Sequence, residues 1–450
     1  MARRRRNRKQ LDKTPQQTEI TSIAHDGRGV GRDADGKVVF VDFALPGETV
    51  RYEPVMQRKS FLFGSTIEVL EPSPHRVEPK CPVFGQCGGC VLQHLDESMQ
   101  IQYKQQQLLE NFKKIGDVQP ESLLEPLTHE PWGYRRRARL GVKYVPKKGG
   151  LIVGFRERNS SYIQPTDRCE VLLPEVSALL PDLRETLAKV SCADRIPQVE
   201  ISVADNALVL ILRHLETLQQ QDLELLSTFA KRNKLQLFLQ PGNLKSVHPL
   251  YPAKPDPLFY RFDEFGVRIE FLPTDFIQVN AGINDKLVSS AIDLLDLQDD
   301  DSVLDLFCGV GNFTLPMATR AARVVGVEGD QALVKRAQHN QKRNQLGNAE
   351  FYLGDLFKED MTEQSHGAWL GQQFDKILLD PPRSGAAHMI ERIMQFDAAK
   401  IVYVSCGPAT LARDAGVMVN QHGYQLTQAG VIDMFPHTAH VESIAVFEKR

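Results

Sequence analysis

From about residue 280 the chain alternates short apolar strands with amphipathic helices, and this alternation narrows the possible folds more than any other feature. NDKLVSSAIDLL reads as a helix, VLDLF as a buried strand and RVVGVEG as a second strand. A helix over 331–345, then AEFYLGD, KILLDPP and KIVYVSC, continue the series. Strand, helix and strand in repetition imply parallel pairing through crossover helices, so a doubly wound α/β domain is expected over 273–450. The final GYQLTQAGVIDMFPHTAHVESIAVFEKR reads as two strands around a loop, a closing antiparallel hairpin.

In a sheet of this kind ligands bind outside the carboxyl ends of the strands. DLFCGVGNFTL, 305–315, puts two glycines between a strand and a helix, where a ligand can approach the backbone closely. A nucleotide-like cofactor belongs there. The third glycine of a GxGxxG fingerprint is missing, with Thr314 in its place, which counts against a dinucleotide and for S-adenosylmethionine without excluding either. Glu328 ends the next strand, 23 residues after Asp305, where a carboxylate can accept both ribose hydroxyls. Asp355 in YLGD, DPPR at 380–383 and Cys406 in VSCGPAT fall at the ends of the following strands, in register at one sheet edge.

Cys406 follows an apolar strand and precedes Gly-Pro, which holds its thiol at the pocket edge rather than in the core. A thiolate is a natural nucleophile toward an electron-poor double bond. A buried, inert cysteine is the alternative, and Cys308 competes for the role from inside the Gly-rich loop. Glu442, in HTAHVES, can act as a general base if the last strands return to this edge; otherwise it is a surface carboxylate. These parts suit methylation of a pyrimidine at carbon 5, which is not nucleophilic until a thiolate adds to carbon 6. A base in structured RNA must also leave its stack, at a cost of a few kcal/mol.

Composition bears on the rest. The 450 residues carry 54 Lys and Arg against 57 Asp and Glu, for a net charge of -3, but the charge is clustered. Residues 3–13 hold seven basic side chains, and WGYRRRARLGVKYVPKKGG, 132–150, interleaves seven more with Trp132, Tyr134 and Tyr144. Both stretches fit RNA phosphates with stacked bases, or equally a solvated tail and strand face. A basic disordered tail is expected over 1–13. Turn-punctuated β-runs over 14–72, with Val38, Phe40 and Phe43 among their apolar positions, suggest a small barrel. EPSPHRVEP reads as a linker, 96–116 as a helix, and 80–272 as a strand-rich central domain. No apolar run is long enough for a membrane span and no apolar segment follows the basic start, so a cytoplasmic protein is expected.

CPVFGQCGGC, 81–90, places three of the seven cysteines within ten residues. Seven is too few and too odd for a disulfide framework. Cys81, Cys87 and Cys90 need a fourth ligand to bind a metal. His94 would complete a zinc site, whereas Cys169 would make an all-cysteine site for zinc or an iron-sulfur cluster.

FIQVN (276–280), DLFCGVGNFTL, DPPRSG (380–385), VSCGPATLARD (404–414) and HTAHVES (437–443), in this order and spacing, resemble the RNA uracil-5-methyltransferase family. The barrel resembles a TRAM domain, an RNA-binding module. TRAM together with the cysteine cluster resembles the branch acting on 23S rRNA, since tRNA-specific relatives lack both. The resemblance implies a multidomain α/β protein with an N-terminal OB-like β-barrel, a central α+β domain with an iron-sulfur site, and a C-terminal class I S-adenosylmethionine methyltransferase fold. It implies Cys406 as nucleophile, Glu442 as base, and cofactor contacts from Gln278, Phe307, Asn312, Glu328, Asp355 and Asp380. It further implies a 4Fe-4S cluster on Cys81, Cys87, Cys90 and Cys169, a monomeric enzyme, and a flipped uridine in a structured loop of 23S rRNA as substrate. Two other readings compete: an RNA-binding ribosome assembly factor with a vestigial fold, and an amino-methyltransferase, for which DPPR would stand in place of (N/D)PPY.

Overall fold

The protein is described over residues 11–358, 362 and 367–449 in a computed structural model, so most of the arginine-rich tail lies outside the described residues. The chain forms two compact units. One runs to Lys104 and takes in His437–His440; the other comprises Gln105–Pro436 and the chain from Val441.

The first unit contains β1 (Gln16–Glu19), β2 (Ser22–Ile23), β3 (Gly29–Arg32), β4 (Val38–Asp42), β5 (Thr49–Gln57) and β6 (Phe61–Glu71), in sheet order β1-β5-β6-β4-β3-β2. Its edge strands β1 and β2 are consecutive in the chain, and the Thr18 hydroxyl donates to Arg32 O at 2.8 Å, so the sheet curls toward closure. Ile20, Val39, Val41, Val50, Tyr52 and Leu62 fill the interior. The buried face of β4 is therefore the opposite parity from Val38 and Phe40. Phe40 instead packs between Phe61 and Phe63 on the other face, with ring centroids 5.6 and 5.5 Å away. Both parities of VVFVD are largely apolar, so local alternation cannot choose between them; pairing with β6 does. Helix α1 (Glu97–Asn111) starts in this unit, with the Asp96 carboxylate accepting from Ser98 N at 2.9 Å.

The second unit holds two large sheets. After β7 (Ser122–Leu123) come β8 (Arg137–Val145), β9 (Gly150–Arg156), β10 (Ile163–Pro165), α2 (Pro174–Leu187), β11 (Gln198–Val203), β12 (Leu208–Arg213), α3 (Gln220–Arg232), β13 (Gln236–Gln240) and β14 (His248–Tyr251). The strands β8–β14 form one sheet in the order β10-β9-β8-β11-β12-β13-β14. Leu183 and Leu187 of α2 and Phe229 of α3 pack on Leu140, Val199 and Leu210 of this sheet. Burial of each such side chain contributes about 1.5–3 kcal/mol. A hairpin of β15 (Leu258–Phe262) and β16 (Val267–Phe271) follows.

The second sheet is built from β17 (Ser302–Leu306), β18 (Arg323–Glu328), β19 (Ala349–Leu353), β20 (Lys376–Leu379), β21 (Lys400–Ser405), β22 (Tyr424–Ile432) and β23 (Glu442–Lys449), with β7 at one edge. Its order is β19-β18-β17-β20-β21-β23-β22-β7; the first five strands are parallel and β23 runs against β21. The order reverses between β17 and β20, which opens a crevice at their carboxyl ends. Helices α4 (Ala281–Leu295), α5 (Thr314–Met317), α6 (Gln331–Arg343), α7 (Ala387–Arg392) and α8 (Pro408–Asn420) complete the alternation. Asn340 and Asn344, from α6 and its C-cap, exchange hydrogen bonds of 2.8–3.0 Å with the backbone of Arg268 and Glu270. These bonds fasten the β15–β16 hairpin to the doubly wound half.

Candidate active site

One cavity of about 550 Å³ opens at the carboxyl edge of the doubly wound sheet. Gln278, Phe307, Asn312, Glu328, Asp355, Asp380, Cys406 and Glu442 all line it. Residues spread over more than 160 positions meet there: Phe307, Glu328, Asp380 and Cys406 end a parallel strand or directly follow one, whereas Glu442 begins β23 and Gln278 lies just ahead of α4.

The Gly-rich loop after β17 forms the cofactor side. Gly309 and Gly311 have φ of +57° and +94°, in the left-handed region, and a Cβ on Gly309 would meet no atom within 4 Å because it would project into open space. Phe307 also has a positive φ, 69°, at a cost of about 1–2 kcal/mol for a residue with a Cβ. Its N–H donates to Val327 O at 2.9 Å, and its ring meets Phe357 at 5.6 Å across the cavity mouth. Glu328 accepts from Gly309 N at 3.1 Å and from Asp330 N at 2.9 Å, which fixes the carboxylate beside the loop. Thr314, standing where a third glycine was absent, has a structural use: its buried hydroxyl donates to the Asp305 carboxylate beneath the loop. Burial chiefly, with a contribution from the charge of Asp380, raises Asp305 to about 7. Asp380 is itself raised to about 7 by removal from solvent.

Cys406 and Glu442 come together through the register of two strands. Ser405 faces Ser443 at the end of the β21–β23 pair, so Cys406 and Glu442 emerge side by side. Burial first, then the negative charges of Glu442 and Asp380, push the Cys406 thiol up to about 11, against an opposing pull from Arg383. At pH 7 this thiol is held overwhelmingly in its protonated form. Alkylation of Cys406, followed by peptide mass spectrometry, is therefore expected to be slow at neutral pH and to accelerate up to about pH 11. Glu442→Gln removes a negative neighbour, lowers the thiol's pKa and should speed alkylation at pH 7 roughly 3- to 10-fold. An unchanged rate would show that the two groups are not in electrostatic contact. Cys308 is buried, and its thiol lies far above the ordinary range for the same first reason, desolvation.

A 23S rRNA (uracil(1939)-C(5))-methyltransferase RlmD of Xanthomonas campestris pv. campestris (strain 8004) is 49% identical over 447 residues, 99% of this chain and 100% of its own length. The chain belongs to the RlmD family of uracil-5-methyltransferases. An RlmD of Stenotrophomonas maltophilia (strain R551-3) is 48% identical over the same span. The tRNA (Uracil-5-)-methyltransferase family model matches residues 261–450, and the TRAM domain model matches 16–52. Among solved structures, Pyrococcus abyssi tRNA (uracil-54, C5)-methyltransferase in complex with S-adenosyl-L-homocysteine superposes with a TM-score of 0.73 at 23% identity. It covers 96% of this chain and all of its own, which establishes a shared fold. That tRNA enzyme spans almost the whole length, so the expectation that tRNA-specific relatives lack the N-terminal domain does not hold for it. Assignment to the RlmD family rests on the full-length identity instead.

Several cavity residues of this RlmD family member carried no signal in the sequence. Tyr260 arrives from β15 and Phe435 from the loop after β22, outside the strand-end series. The basic segment also departs from expectation. Arg136 is 4% exposed and Tyr134 is 6% exposed, so neither is placed to meet RNA phosphates. Arg135 donates through Nε to Arg137 O at 2.9 Å and lies 5.9 Å from the ring centre of Phe435. Arg137 donates to the carbonyls of Thr274 and Asp275. The strand pattern of RRRAR was legible, but the backbone of 274–280 lying alongside was not. Only Arg139, Lys143 and Tyr144 of this segment's described basic and aromatic side chains on β8 are exposed.

Cys81, Cys87, Cys90 and Cys169 are each half-buried. His94, the alternative fourth ligand, is buried with its ring against Phe43 and Phe84, at 5.9 and 5.4 Å. Among the described residues no group of three or more His, Cys, Asp or Glu is gathered tightly enough to hold a metal ion. No described helix is long and apolar enough to cross a membrane.

Proposed function

We propose that this chain methylates carbon 5 of a uridine in 23S rRNA, at the position that the names of its RlmD relatives give as uracil 1939. The observation that carries the reading is the meeting of Cys406 and Glu442, 36 residues apart in sequence, in the same cavity as the Gly-rich loop and Glu328. An assembly factor with a vestigial fold has no need of that pair, and an amino-methyltransferase needs no thiol.

Gln278, Phe307, Asn312, Glu328, Asp355 and Asp380 would hold S-adenosylmethionine, and the superposed tRNA enzyme carries the demethylated product at 23% identity. Loop curvature at Gly309 leaves room for the cofactor, and a fixed Glu328 carboxylate suits a ribose. When bound, the cofactor supplies an electrophilic methyl group on a sulfonium. The Cys406 thiol gives up its proton to solvent water, and its sulfur forms a bond to carbon 6 of the flipped uracil. The carbon 5–carbon 6 electron pair moves toward oxygen 4, which makes carbon 5 nucleophilic. After methylation Glu442 takes the remaining proton from carbon 5, the double bond re-forms, and the carbon 6–sulfur bond breaks to release Cys406 as thiolate. RNA containing 5-fluorouridine tests this directly, because fluorine cannot leave as a proton and the covalent adduct persists. Absence of a cofactor-dependent adduct would sink the mechanism.

The family resemblance also assigns a 4Fe-4S cluster to Cys81, Cys87, Cys90 and Cys169. Support comes from the donor set, four thiols with no disulfide framework around them, rather than from gathered geometry. Four thiolates leave no iron open for the cofactor, so a structural or RNA-positioning role is expected. Anaerobic purification should give brown protein with about four irons per chain. Colourless protein with a single zinc would overturn the assignment.

A further inference from the structure

We infer that Arg136, with Tyr260, is a positioning residue for the cofactor wall of the cavity, an inference that rests on the S-adenosylmethionine reading above. Arg136 stands in the most basic run of the described chain, yet it is buried. Its Nε donates to Gln278 O at 2.8 Å, and its own N–H donates to Val279 O at 2.9 Å. Both acceptors belong to FIQVN, and Gln278 and Val279 line the cavity. The guanidinium carbon lies 5.0 Å from the ring centre of Tyr260, also in the cavity wall. Tyr260 in turn donates its hydroxyl to Asn312 Oδ1 at 2.9 Å, and Asn312 exchanges two 3.1 Å hydrogen bonds with Asn284 on α4. One buried cation thus reaches both amide-bearing residues expected at the cofactor: Gln278 through its backbone, and Asn312 through Tyr260.

Stability does not explain such a residue. Burial lowers the pKa of the guanidinium, only partly offset by Tyr260, Asp205 and Asp285, and one Nη is buried with no hydrogen-bond partner. An apolar side chain of similar volume would be cheaper to bury. What it would not supply is a planar donor that bonds a carbonyl and lies over an aromatic face at once.

The test is titration of S-adenosylhomocysteine into the full-length protein by calorimetry, with KM for RNA measured in parallel. Arg136→Met should weaken binding about 10-fold and raise the KM for S-adenosylmethionine, while the KM for RNA and kcat at saturating cofactor stay within about twofold. Arg136→Lys, which keeps a cation near Tyr260 but loses the fixed Nε geometry, should recover part of the affinity. Tyr260→Phe should weaken binding about 3-fold and decides the matter if Arg136→Met fails to fold. An RNA-specific defect, or a lowered melting temperature with unchanged S-adenosylhomocysteine affinity in both variants, would overturn the inference. Failure of the unmodified protein to bind S-adenosylhomocysteine would instead overturn the cofactor reading beneath it.

Discussion

Cys406→Ala is expected to reduce methylation of 23S rRNA by at least roughly 10⁴-fold and to abolish the adduct with 5-fluorouridine RNA. The thiol is the only group proposed to activate carbon 5, and an alanine methyl can neither add to carbon 6 nor leave it. The substitution removes one sulfur from a half-buried position at the end of β21, so the fold should persist and S-adenosylhomocysteine should still bind. Loss of the adduct with retained cofactor binding is the informative combination. An adduct that survives would place the nucleophile elsewhere, with Cys308, the other cysteine lining the cavity, as the candidate. Its burial and strongly raised pKa make it a poor one.

Glu442→Gln should slow turnover by about 10²- to 10⁴-fold through a different failure. Addition and methylation can still occur, but the carbon 5 proton has nowhere to go. Methylated RNA should therefore accumulate in covalent linkage to Cys406, visible as a band that withstands denaturation and disappears in the Cys406→Ala, Glu442→Gln double variant. Glu442 is buried beside Cys406, so this substitution also lowers the thiol's pKa, and the first step should be no slower than in the unmodified protein. A slow turnover without accumulated adduct would assign Glu442 to an earlier step. The two variants separate nucleophile from base because one removes the covalent intermediate and the other traps it.

Much of this site was legible because parallel strands leave their carboxyl ends at one edge. Once the alternation from residue 280 is read as a doubly wound sheet, Glu328, Asp355, Asp380 and Cys406 must share that edge, whatever their separation along the chain. Thr314 shows the limit of motif reading: a missing glycine signalled what the loop was not, while its bond to the Asp305 carboxylate appears only in three dimensions. The basic run 135–139 shows another. A string of arginines has the same composition whether it faces phosphates or fastens neighbouring backbone, and burial separates Arg136 from Arg139.

By itself, then, the sequence determined the strand and helix periods, the turn residues of the cofactor loop and the chemical types at the strand ends, because these are local properties of a few adjacent residues. Only the tertiary structure decided which parity of β4 is buried, that Tyr260 and Phe435 complete the cavity, and that Glu442 meets Cys406. Each of these depends on pairing between distant segments: β4 with β6, the β15–β16 hairpin with α6, and β21 with β23. Register is set by the free energy of the whole packed interface, and no short window of residues contains it.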